Sequence, residues 1–209
     1  MTPIAASLAT FVGAATLLTI TPGLDTALVL RTLATGAARP ALLAGLGIAT
    51  GCFVWATIVA LGLGAVLEAS ELAYNALRWL GAAYLVWTGY KMLRNPRRMF
   101  VADVPGAQAR HQAFATGALT NLLNPKVGVF YISFLPQFVP HGVSVGPFIL
   151  LLGAIHALLG MIWFTCLVAA TRPVMRLLQR PHVVAVCDRL TGGMFVAFGI
   201  GLALQSRRA

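Results

Sequence analysis

Two residues of this chain could do chemistry at membrane depth, and each follows a helix breaker. In TITPGLDTALVL, Thr21-Pro22-Gly23 interrupts an apolar run and Asp25 follows. In ALTNLLNPKVGVFYIS, Asn124-Pro125 interrupts another and Lys126 follows; 45 uncharged positions then separate it from Arg172. An Asp or Lys near the centre of a spanning helix costs about 2.5–3.5 kcal/mol on insertion scales, so such residues face a cavity or pair with one another. Proline inside a helix costs about 3 kcal/mol or more, an adjacent glycine roughly 1, and carbonyls freed by the break must find protein or water. Threonine and asparagine are favoured N-caps and proline suits the first helical position. Each stretch is therefore expected to end one half-helix and begin another. Asp25 falls in the first turn after its break, where the helix dipole favours a carboxylate. Lys126 also sits at a positive half-helix end, so it needs an anion: Asp25 or the carboxylate of a cargo.

Taken together, these groups suggest a mould for a zwitterion. Lys126 and two half-helix N-termini would hold a carboxylate, and Asp25 would hold an ammonium. A static Asp25–Lys126 salt bridge is the plainer alternative. Upstream of the second break, Thr120, Asn121 and Asn124 add a hydroxyl and two amides. Downstream, Lys126, Phe130, Ser133 and Gln137 fall at i, i+4, i+7 and i+11, one face of a regular helix. A span this polar should look inward. His156, near the middle of a later span, could relay protons because imidazole titrates near neutrality; a neutral packing histidine is the simpler role. Cys52, Cys166 and Cys187 show no paired spacing, which argues for packing residues rather than a disulfide framework or a metal site.

The elements that position these groups follow from composition. The chain has 209 residues, 59% apolar and 10% charged, against about 25% charged in a typical soluble domain. Charge-free runs cover 1–24, 40–67 and 127–171, each at least as long as the roughly 20 residues a spanning helix needs. The expectation is an all-α membrane protein, one domain over 1–209, with six transmembrane helices near 5–31, 40–67, 72–93, 113–139, 144–171 and 189–206, and a basic loop near 94–112. Spans one and four would be broken at Pro22 and Pro125. MTPIAASLATF has no positive n-region, so the first span reads as retained rather than as a signal peptide.

Eleven basic residues fall in alternate connections, Arg31 and Arg39, Lys91 to Arg110, and Arg172 to Arg189, with only Arg207 and Arg208 opposing them. Basic loops stay cytoplasmic, which puts both termini on the periplasmic side. The net charge of +10 is thus explained by topology and anionic lipid headgroups rather than by nucleic acid. Arg78, near the outer end of span three, can snorkel to the headgroups beside Trp79. Gly81…Gly89 in span three matches Gly193…Gly201 in span six, and each three-span half opens with a broken helix. Two inverted three-helix repeats would produce that pattern. Gly45, Gly47 and Gly51 give span two a small-residue face for close packing. Nucleophile elbow, HExxH and P-loop signatures are missing, so neither an enzyme nor an ATP-driven pump is expected, and no cofactor.

At TPGLDTALVL, GLGIATGCFVW, LRWLGAAYLVWTGYKMLR and FATGALTNLLNPKVGVFYISFLPQFV, the sequence resembles the lysine-exporter (LysE/RhtB) family of bacterial amino-acid exporters. These stretches come in family order and the similarity covers nearly the whole chain. The family pattern continues TPGP in the first span; Leu24 replaces the last proline, leaving one break instead of a double one. The resemblance implies a six-span inner-membrane exporter of amino acids or close derivatives driven by the proton gradient, with substrates across the family that are basic, branched, hydroxylated or sulfur-containing. It also carries Pro22, Gly23 and Asp25, and Asn121, Asn124, Pro125 and Lys126, into the substrate site, alongside Thr21 from the break itself; Asp25 and His156 are the proton-relay candidates. Protons, an amino acid and membrane lipids are then the partners, and a homo-oligomer stays open. A transmembrane thiol–disulfide electron carrier or a passive channel is the rival class; the former needs reactive cysteines beside the two prolines.

Overall fold

The computed structural model describes residues 2–34, 38–69, 71–96, 112–170 and 180–204, which are helical with no strand among them. The helices are α1 (Pro3–Ile20), α2 (Leu24–Ala34), α3 (Ala38–Ala69), α4 (Glu71–Arg94), α5 (Ala113–Leu122), α6 (Pro125–Val129), α7 (Val145–Ala169) and α8 (Pro181–Leu204). A π-turn (Phe130–Phe134) and a 3-10 turn (Leu135–Phe138) continue α6. Among the described residues four helices are long and apolar enough to cross a membrane: Pro3–Ile20, Ala38–Gly62, Val145–Ala169 and Pro181–Gly201. The other two expected spans are helical as well. One, α4, carries Glu71, Arg78 and Lys91; the other is split into pieces too short to span singly. The basic segments 97–111 and 171–179, and the Arg78 side chain, lie outside the described residues.

Both breaks fall where the prolines put them, but they are built differently. α1 starts on Thr2, whose hydroxyl accepts from the Ala5 N–H at 3.3 Å. It ends at Ile20 because the residue before a proline is pushed out of the helical region; Thr21 is extended, φ −67 and ψ 118. Thr21 does not cap the second half-helix as the sequence suggested. It closes the first, its N–H and hydroxyl both turning back to the Leu17 carbonyl, at 3.1 and 2.7 Å. The next half begins at Leu24, with the Ala27 N–H on the Gly23 carbonyl at 2.9 Å. The second break follows the sequence reading. Asn124 is extended and its side-chain oxygen accepts from the Lys126 N–H at 3.1 Å, with Pro125 opening the turn.

Downstream of Lys126 the helix loses register. Phe130 keeps the α register, its N–H on the Lys126 carbonyl, but the π-turn and 3-10 turn that follow rotate Ser133 and Gln137 off the face a regular helix would give them. Phe130 stacks with Phe134 at 4.8 Å and lies 5.1 Å from the His156 ring. Ser133 packs on Gly81, and the Gln137 amide donates to the Ser133 carbonyl at 2.8 Å. These aromatics, with Phe11, Phe138, Phe195 and Phe198, make the main core.

Around it, α3 packs on α5 and α7, and α4 on α8. Contact is backbone to backbone at glycine: a Cβ on Gly47 would fall on the Phe114 carbonyl, and one on Gly117 on the Ala44 carbonyl. Small-residue seams of this kind let spanning helices approach closely. Large apolar side chains such as Leu61, Leu80, Leu119 and Leu158 face outward, as a lipid-solvated surface requires. α8 starts at Pro181 rather than near 189. Asp188 is thereby inside the helix and 1% exposed, so Asp25 and Lys126 are not the only charges buried in the bundle, as the sequence reading had it.

Candidate functional site

The two breaks meet. Pro22 has no N–H to offer the Leu18 carbonyl four residues back, and the extended backbone at Thr21 leaves that residue's carbonyl outside any ladder. The Lys126 ammonium takes both, donating to Leu18 O and Thr21 O at 3.2 Å each. Lys126 therefore rests on the carbonyl end of α1, where the helix dipole is negative. Sequence reasoning considered only the positive start of its own half-helix and missed this support.

Asp25 enters from the other side. Its carboxylate accepts from the Asn121 amide at 2.8 Å and from the Asn124 amide at 3.2 Å. Asn124 thus serves twice, its oxygen capping α6 and its nitrogen holding Asp25. Asn121 is fully buried and also donates toward the Cys52 sulfur at 3.4 Å. Asp25 and Lys126 lie in one electrostatic field, the acid held by amides and the base donating to carbonyls.

Between them opens a small cleft. Thr21, Gly23 and Asp25 line it from the first break and α2, Asn124, Lys126 and Val127 from the second, Ile48, Ala49 and Cys52 from α3, and His156, Ala157 and Gly160 from α7. Pro22 and Asn121 stand behind this wall, the one shaping the break and the other holding Asp25; the Pro125 side chain lies outside the described residues. His156 is buried, with Nδ1 and the Tyr131 hydroxyl 2.9 Å apart, so it is both a packed histidine and a cleft residue. Cys52, which the sequence left as a packing residue, is at the site; α3 crosses beside the breaks, and no local motif announces that. Cys166 is exposed, and neither it nor Cys187 lines the cleft. Among the described residues no cluster of His, Cys, Asp or Glu could hold a metal. The arrangement offers one acid, one base and apolar walls, which suits binding of a small dipolar molecule better than bond-making chemistry.

Comparison with known proteins gives the same direction. The LysE type translocator family matches residues 6–206. A Bacillus subtilis (strain 168) protein described as an uncharacterized membrane protein, YrhP, is 31% identical over 95% of this chain and 99% of its own length. The homoserine/homoserine lactone efflux protein of Salmonella typhimurium is 28% identical, covering 90% of this chain and 91% of that protein. The threonine efflux protein of Escherichia coli (strain K12) is 31% identical, covering 89% and 92%. No solved structure matches. With apolar helices able to span and a family match along nearly its whole length, this chain belongs to the LysE type translocators, membrane transport proteins rather than enzymes.

Proposed function

We propose that the chain is a single-domain, six-span secondary transporter that exports amino acids or close derivatives across the inner membrane in exchange for protons, with both termini periplasmic. The observation that carries this reading is the pair Asp25 and Lys126, brought from two broken spans to one cleft, the acid held by side-chain amides and the base by backbone carbonyls. Asp25 offers a partner for an ammonium and Lys126 one for a carboxylate, the two charges of a zwitterion. Relatives named for efflux of homoserine, threonine and leucine support small amino acids as the cargo class. An inverted repeat is supported by helix pairing. A two-fold in the membrane plane relating the residues before and after the central loop would map span two onto span five and span three onto span six, and lets each pair pack across its axis. α3 packs along α7 and α4 along α8. At the second of these seams the backbones of Gly89 and Gly192 meet, while the sequence match pairs Gly81…Gly89 with Gly193…Gly201. His156 and Asp25 remain the groups at the cleft able to carry a proton.

The test is resistance of an expressing strain to a panel of amino acids and analogues, followed by efflux of the protective compound and by counterflow in proteoliposomes. Saturable, counterflow-competent efflux that Lys126→Met and Asp25→Asn both abolish is the expected result. Efflux undiminished in Lys126→Met removes the lysine from the mechanism, and gradient collapse without counterflow overturns the reading in favour of a channel.

A further inference from the structure

One buried acid has no part in the cleft just described. Asp188 is 1% exposed and lies one turn before Thr191, itself fully buried, so the two share a face of α8. The Thr191 hydroxyl meets the Thr21 hydroxyl at 2.5 Å, and the Thr21 carbonyl accepts the Lys126 ammonium at 3.2 Å. That face of α8 is therefore turned to the first break. It stands behind the cleft, since Thr21 lines the cavity and Asp188 and Thr191 do not. Cys187, the neighbour of Asp188, stands in the fields of both the Asp188 carboxylate and the Lys126 ammonium. The other described bases near this end of α8 are turned outward. Arg180 and Arg189 are exposed, Lys91 lies over the Trp87 ring at 3.5 Å and Arg94 bonds the Tyr90 hydroxyl at 2.6 Å.

We propose that Asp188 is the counter-charge of Lys126, a positioning residue whose task is to leave Asp25 to the cargo. The proposal rests on the reading of Asp25 as the ligand for a substrate ammonium, and it adds a reason why that ligand is available. A buried lysine with a single acid nearby would close on it, because an uncompensated charge in a low-dielectric site is costly. With Asp188 behind it, Lys126 is neutralised from the rear and Asp25 keeps an unspent negative charge. Such a carboxylate takes up one cation: a proton on a carboxyl oxygen when the cleft is empty, or the substrate's ammonium when it is loaded. The two compete for one charge. Loading breaks the carboxyl O–H bond of Asp25, the proton leaves to water on the side from which the substrate came, and the substrate's ammonium takes its place with no change of oxidation state.

A double-mutant cycle tests this without reference to transport. Unfolding temperatures are measured for the purified full-length protein as wild type, Asp188→Asn, Lys126→Met and the double variant. The charge-pair assignment requires each single change to lower the temperature and the double change to lose clearly less than the sum. If Asp188→Asn alone yields no folded protein, the double variant must still yield it. Additive losses, or a double variant that fails to fold, overturn the proposal. In efflux, Asp188→Asn should raise the apparent KM about tenfold or more while the maximal rate per folded molecule is kept, because the substrate must now displace Lys126 from Asp25; Asp188→Glu should restore the wild-type KM. An unchanged KM in Asp188→Asn sinks it. Should the wild type export nothing, the transport reading falls and the thermal cycle still decides the role of Asp188.

Discussion

Gly51→Ala adds one methyl group and should cost the protein its hold on cargo. Built on the existing backbone, that Cβ stands 2.6 Å from Asn121 Oδ1, 2.9 Å from its Cβ and 3.1 Å from its Cγ. The oxygen has no hydrogen-bond partner and is buried, so nothing pulls it back into place. A carbon–oxygen contact is comfortable at about 3.4 Å, which asks the amide to retreat about 0.8 Å. The opposite end of the same amide donates to Asp25 Oδ2 at 2.8 Å. Moved by that amount, it leaves the range of an N–H···O hydrogen bond. Losing a bond to a charged acceptor costs about 1.5–3 kcal/mol, equivalent to roughly ten- to hundredfold in affinity. The assay is efflux kinetics of Gly51→Ala, Asn121→Ala and the double variant, normalised to folded protein. Apparent KM should rise by about that factor in Gly51→Ala, and the same methyl should cost little once Asn121 has been cut back to alanine. A Gly51→Ala protein with wild-type KM, or an equal penalty in both backgrounds, would show that the amide is not the element through which α3 controls Asp25.

Three further outcomes follow from the same contacts. Asn124→Asp keeps an oxygen to cap the Lys126 N–H but replaces the donor 3.2 Å from Asp25 Oδ1 with a like charge, so export should fall about tenfold or more and the unfolding temperature should fall with it, since two carboxylates then share a buried site; Asn124→Ala should lose about 1 kcal/mol of stability from the missing cap. Gly192→Ala should destabilise by about 1–3 kcal/mol through overpacking, since its Cβ meets the Gly89 carbonyl at 2.8 Å and Met92 at 2.9 Å; Gly193→Ala has nothing within 4 Å and should stay within about 0.5 kcal/mol of wild type, as thermal unfolding will show. Tyr131→Phe removes the hydroxyl 2.9 Å from His156 Nδ1 and should cost about 1–3 kcal/mol, because the ring nitrogen is left buried without its partner.

The residues of the site were legible where local chemistry decides them, and not where a distant helix does. Asn124 before Pro125 reads as a cap from residue type alone, and it is one. Thr21 before Pro22 has the same signature, yet a threonine can end a helix by turning its hydroxyl back on the preceding turn, and Gly23 lets the chain restart later; sequence spacing does not choose between these. The face Lys126–Phe130–Ser133–Gln137 fails beyond Phe130 because Pro136 has no N–H for the Ile132 carbonyl, and the ladder around it reorganises into π and 3-10 bonding. That proline was visible and carried the warning. Asp188 escaped because the last span was drawn from its charge-free stretch onward; the signal lay in Asp188 and Thr191, two polar residues one turn apart. Cys52 had no signal at all. It reaches the cleft through the approach of α3 to the broken spans, which only the glycine seam on α5 hints at.

The two prolines act as one device, and this has a consequence that a single substitution can check. Leu18 O and Thr21 O are acceptors for Lys126 only because Pro22 removed the donors that a continuous helix would have supplied from residues 22 and 25. Pro22→Ala returns the first donor and allows α1 to run on into α2. Judged by helix chemistry alone, the variant should gain stability, since an interior proline costs about 3 kcal/mol or more. Judged by the site, it strips the ammonium of its backbone acceptors and swings Asp25 out of reach of the Asn121 and Asn124 amides. The expected result is a protein that unfolds at the same temperature as wild type or higher and exports at least about tenfold less, since displacing a charged group from its hydrogen bonds costs upward of 1.4 kcal/mol. Export intact in a folded Pro22→Ala protein would mean that the break is a packing kink and that Lys126 finds its place without it.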